Sequence, residues 1–129
     1  MKMLFRIAVI LIALAAPAVA AVDWSHARLV TVVASDYQFS PNKLTFKRGV
    51  AYRLHFENHG KETHEFHAPE FFNATELRNP EVLNADKTEI LVHPGEAKDL
   101  YFVSQKPGHY PLFCPDHDWA GMTGEITVK

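Results

Sequence analysis

Cys114, His117 and Met122 fall within a single stretch of nine residues near the C-terminal end of the chain. One short segment therefore offers a thiolate, an imidazole and a thioether, all soft or borderline donors suited to a metal ion. Thiolate and thioether favour copper, and a trigonal plane of one cysteine and two histidines with a weak, long methionine contact is the arrangement of electron-transfer copper sites. The stretch lacks the second imidazole. His64 can supply it, because it sits where a loop (Asn58 to Glu62) gives way to the alternating segment His64-Glu65-Phe66-His67, and a sandwich of strands could bring that junction beside the other ligand loop. Cys, His and His also suit zinc, which is the main alternative; structural zinc seldom recruits methionine.

Period-two alternation and turn residues supply the frame for these side chains. The segment Arg28 to Ala34 is rich in β-branched residues, Tyr37 to Phe39 and Leu44 to Phe46 continue as short strands, and Tyr52 to Glu57 alternates apolar with polar. Thr88 to Val92 and Asp99 to Val103, joined through His93-Pro94-Gly95-Glu96, suggest a hairpin. The alternation from His109 to Cys114 puts Tyr110, Leu112 and Cys114 on one face, and Gly124 to Lys129 closes the chain as a last strand. Between Glu70 and Lys87 there is no strong period, so a long connection is expected, with a helical turn near Thr75 to Arg78. The expected fold is all-β: an antiparallel Greek-key β-sandwich of about seven to eight strands.

The first twenty residues have a separate purpose. Lys2 and Arg6 precede an apolar block from Ile7 to Ala16, and Ala18-Val19-Ala20 is a small-x-small cleavage signature. The block is shorter than the roughly 20 residues a spanning helix needs, and Pro17 interrupts it. Residues 1–20 are thus expected to be a signal peptide, and residues 21–129 one domain, with no membrane span after cleavage. Removing Lys2 and Arg6 leaves eleven basic residues against fifteen acidic ones, a formal charge of −4. An acidic domain without a Lys/Arg run excludes a nucleic-acid binder. Export also sharpens the reading of Cys114, the lone cysteine: in an oxidising compartment thiols are usually paired, and a metal is one way to occupy this one. A buried inert thiol and an intermolecular disulfide are the others.

The chain resembles the cupredoxins, the blue copper proteins that include plastocyanin, pseudoazurin and azurin. The resemblance runs through Tyr37-x-Phe39-x-Pro41, Leu44, Gly49, Asn58 before His64, Pro94-Gly95-Glu96, Gly108-x-Tyr110-x-Leu112-x-Cys114, His117, Gly121-Met122 and Gly124-x-Ile126-x-Val128. It implies one mononuclear type 1 copper centre, Cu(I)/Cu(II), bound by the imidazoles of His64 and His117 and the thiolate of Cys114, with Met122 axial. It further implies that electrons pass through His117, with Pro115, Trp119 and Ala120 forming an apolar rim where a redox partner docks. Two departures stand out. Many relatives carry Asn directly after the first histidine, tying the two ligand loops together, whereas this chain has Glu65; Asp116 and Asp118 also flank His117. The acidic flanks are expected to favour Cu(II), lowering the potential, and to select positively charged partners. Glu65 is a candidate ligand in its own right, as a carboxylate is in the red copper protein nitrosocyanin.

The expected function is electron transfer in the periplasm between redox partners such as cytochromes or membrane oxidoreductases, by a monomer that is not an enzyme. The alternative is copper tolerance, buffering or delivery. Of the other histidines, His26, His55, His93 and His109 are expected to be solvated. His59 and His67 bracket His64 and are candidates for a second, weaker metal patch.

Overall fold

The computed structural model describes residues 10–17 and 20–129. Residues 1–9, 18 and 19 of the expected signal peptide, with most of its cleavage signature, lie outside them; residues 10–17 are exposed and without regular structure. Among the described residues no helix is long and apolar enough to cross a membrane.

Among the described residues ten strands form two five-stranded sheets. Chain order gives β1 (Arg28–Ser35), β2 (Gln38–Ser40), β3 (Lys43–Phe46), β4 (Ala51–Asn58), β5 (His64–His67), a short helix α1 (Pro69–Asn73), β6 (Thr75–Leu77), β7 (Glu89–Val92), β8 (Ala97–Ser104), β9 (Gly108–Phe113) and β10 (Thr123–Val128). The first sheet runs β2-β1-β4-β8-β6 and the second β3-β10-β9-β5-β7. The alternation read from the sequence is realised in β4, whose even-numbered residues Tyr52, Leu54, Phe56 and Asn58 are buried while Arg53, His55 and Glu57 face outward. Buried apolar faces meet between the sheets around Phe46, Phe56, Phe66, Phe71 and Phe102, none with measurable exposure. Their rings pack edge-on or offset, Phe46 and Phe102 lying 4.9 Å apart at 84°, a preferred aromatic geometry.

The sandwich departs from the expected one in four respects. Ten strands replace seven or eight. The sheets are mixed, since β1 runs parallel to β4 and β3 parallel to β10. Glu89–Val92 and Ala97–Ser104 are not a hairpin: the turn at Pro94-Gly95 carries the chain from one sheet to the other, so β7 pairs with β5 and β8 with β4 and β6. The helical turn lies earlier than expected. Pro69 takes the first helical position, where its missing N–H costs nothing, and Thr75–Leu77 instead forms a strand by docking on β8.

Candidate metal centre

The Cys114–Met122 loop is held by its own backbone. Cys114 N–H donates to Met122 O, His117 N–H to Cys114 O, and Met122 N–H back to His117 O. The loop folds over itself, and Gly121 turns it at φ +84°, a left-handed conformation that favours glycine. Cys114 and Met122 are fully buried, His117 nearly so, and Trp119 stands out at 77% exposure.

The second ligand region arrives on the neighbouring strand β5, which pairs with β9 through His67 and Phe113. Asn58 organises the loop before it: its side-chain amide donates to Glu62 O and Val92 O, and its Oδ1 accepts from Gly60 N–H. His64 then enters the interior with no exposure. His64, Cys114 and His117 present donor atoms that all lie within 4.8 Å of one another, with Cys114 Sγ 3.4 Å from His117 Nδ1 and 4.0 Å from His64 Nδ1.

Carboxylates set the orientation of both rings. Asp36 Oδ1 accepts from His64 Nε2 at 2.6 Å, and Glu62 Oε2 lies 3.1 Å from His117 Nε2. Asp36 thus engages the far nitrogen of His64, Glu62 stands near that of His117, and both Nδ1 atoms face the sulfur. This is the outer support that metal-binding histidines generally need. Asp36 is itself pinned by Lys61 N–H at 2.8 Å. That bond and, against the opposing effect of burial, the one from His64 hold its carboxyl below the usual range. Gly60 leaves the necessary space, because a Cβ there would fall on Asp36 Oδ1 and 2.8 Å from His64 Nε2.

Glu65 is buried and turned toward Cys114. Its Oε2 accepts from Cys114 Sγ at 3.0 Å. The tie between ligand loops is therefore present, made by a carboxylate on the sulfur. Burial, followed by this hydrogen bond, pushes the Cys114 thiol up to about 12; burial also pushes Glu65 up. Tyr37 completes the site, its ring 4.7 Å from that of His117 and 6.0 Å from that of Trp119.

The donor set fits copper: a buried thiol, two imidazoles turned inward through Nδ1, and the fully buried Met122 in the same loop. Copper held here supplies one-electron chemistry between Cu(I) and Cu(II). Uptake must displace the Cys114 proton, and the opposed imidazoles are already facing the sulfur. The sequence reading missed Asp36, Tyr37, Gly60 and Glu62 as parts of this centre. Tyr37 lay in a motif it noted; nothing local marked the other three. His59 and His67, in contrast, are not brought together: His59 pairs with Glu57, and His67 with Glu89 while packing on Phe113.

A two-sheet sandwich with a buried cysteine and two histidines at one end defines a class of metalloprotein, and the comparisons give that class its family. A cupredoxin-like domain family model matches residues 4–128; the chain belongs to the cupredoxin-like family. It is 30% identical over 96 residues to plastocyanin A/B of Petroselinum crispum, spanning 70% of this chain and 87% of that one. Its fold is similar to the crystal structure of dithionite-reduced auracyanin from Roseiflexus castenholzii (TM-score 0.60, 16% identity, 80% of this chain and 98% of that one). Auracyanin B is similar too (TM-score 0.59, 23% identity, 80% and 89%). Family membership makes the chain a copper protein of the electron-transfer kind.

Proposed function

We propose that this protein is an exported electron shuttle of the periplasm, with residues 1–20 removed and residues 21–129 acting as a monomeric copper domain. His64, Cys114 and His117 bind one copper ion and Met122 is its axial ligand. The observation that supports this best is the inward Nδ1 of both imidazoles around a buried thiol, an arrangement set by Asp36 and Glu62 in the protein itself. A ligand set held this firmly changes little between oxidation states, which keeps the cost of electron transfer low. The nearly buried His117 ring packs against the half-buried Tyr37, and Pro115, Trp119 and Ala120 of the same loop are exposed. Electrons leave and enter along that edge, toward redox proteins such as cytochromes or membrane oxidoreductases. Exposed Asp116, Asp118 and Glu62 around the same edge select partners with positive faces. The protein carries electrons and catalyses no reaction of its own.

The alternative, copper tolerance or delivery, draws on that acidic surround, which would also attract free copper ions. The two readings separate in a deletion strain compared for respiration and for growth on excess copper. The shuttle predicts impaired electron flow; copper sensitivity with normal respiration overturns it.

A further inference from the structure

The outward face of the first sheet carries a second histidine cluster, formed on one strand by His55, Glu57 and His59. Alternation puts His55 and Glu57 on the same side of β4, and His59 follows where the strand ends. Glu57 gathers both rings: its Oε1 lies 2.7 Å from His55 Nε2 and its Oε2 2.8 Å from His59 Nε2. The other nitrogen of His55, Nδ1, lies 2.8 Å from Asp99 Oδ1 on the adjacent strand β8, where His55 and Asp99 are register partners. Asp99 is fixed in turn by Arg53, whose Nε donates to Oδ1 at 3.1 Å. Ala97 stands opposite Glu57 and is too small to fill the space beside the carboxylate.

We propose that His55 Nε2, Glu57 and His59 Nε2 form a second metal site, specific for a divalent borderline cation such as Zn(II) or Cu(II). A donor set of two imidazoles and one carboxylate is the chemistry such ions take, with at least one position left to water. His26, His67 and His109 each meet one carboxylate, whereas His55 meets one on each ring nitrogen. A carboxylate on the far nitrogen of a ligand fixes the ring's tautomer and raises its basicity, and the Arg53 bond keeps that carboxylate in place. His55 and Glu57 are largely shielded, with side-chain exposures of 23% and 30%. His59, at 62%, is free to turn. It needs to, because the two rings now sit on opposite oxygens of Glu57, and ligand distances of about 2.0–2.1 Å require His59 to swing inward. Binding at Nε2 displaces any proton held there against Glu57, while Nδ1–H stays on Asp99. Nothing in the site depends on the buried centre, and no donor is shared with it.

Copper-loaded protein titrated with Zn(II) tests the site by calorimetry, with the histidine ring resonances followed by NMR. The expected result is one further equivalent, accompanied by selective shifts of His55 and His59. His55→Ala and His59→Ala should each abolish that equivalent, and Asp99→Asn should weaken it about 10- to 100-fold, while His109→Ala leaves it intact. Retention of the visible copper band shows that each variant is folded; if the buried centre binds no copper, the same titration of the apo protein reads the ring shifts alone. Absence of a further equivalent, or one that survives both His55→Ala and His59→Ala, overturns the proposal.

Discussion

The buried centre and the open face of the first sheet use the same device for different ends. In each, a carboxylate engages one nitrogen of a histidine so that the other points to a common spot: Asp36 for His64, Asp99 for His55. At the buried centre the spot is lined by a thiol and closed to water, and the carboxylates orient donors without supplying one. On the open face the carboxylate of Glu57 would itself be a donor, water has access, and His59 is 62% exposed. Burial thus decides what the same pairing yields. A soft, enclosed set suits a retained ion, whereas a borderline, exposed set suits one that exchanges with solvent.

The contrast breaks most completely at the sulfur. Cys114→Ser should abolish the intense visible charge-transfer band of the copper-loaded protein, measured by absorption, while the second site is untouched. An oxidised wild-type protein without that band would refute the type 1 assignment. The next largest effect is expected at Asp36. Asp36→Ala should lower copper affinity about 10- to 100-fold, read by competition with a chelator. Gly60→Ala should move affinity in the same direction by displacing the Asp36 carboxylate without removing it, so the pair separates position from charge.

Proton competition comes third. Because the Cys114 thiol is pushed up to about 12, it is protonated in the apo protein at neutral pH and must lose that proton to bind. Apparent copper affinity should therefore rise about tenfold per pH unit through the neutral and mildly alkaline range, in a chelator competition repeated across pH. A flat profile would mean that the sulfur is not a ligand. Met122→Leu should keep the colour and raise the reduction potential in voltammetry, since an axial donor to the oxidised ion is lost. The smallest effect belongs to the open face. The Asp99 contact raises His55, so its stabilisation is complete below the ordinary histidine value and is lost as pH rises through the raised one. Asp99→Asn should cost under about 1 kcal/mol in denaturant unfolding at mildly acidic pH, and less at alkaline pH.

What was legible in the sequence follows how far each contact reaches along the chain. Cys114, His117 and Met122 lie in one self-bonded loop, so their spacing alone carried the chemistry. His64 was legible because a loop-to-strand junction is visible locally. Asp36 and Glu62 were not, since their partners lie 28 and 55 residues away in sequence and an acidic residue in a turn looks the same whether it meets a histidine or water. The Glu65–Cys114 bond was not legible either, because alternation marks two faces without saying that both are covered. The same limit produced the false hairpin: Pro94-Gly95 signals a reversal, but which sheet receives the returning strand depends on pairing partners elsewhere.

Trp119 gives the molecule an optical reporter of its own. One other tryptophan is present, Trp24, half-buried against Tyr101 and Arg78. Trp119 is solvent-exposed, with its indole nitrogen donating to Asp116 O at 2.8 Å, and so should emit at longer wavelength. Sitting in the ligand loop, its red-shifted fluorescence should dim as copper enters, while Trp24 serves as the internal standard.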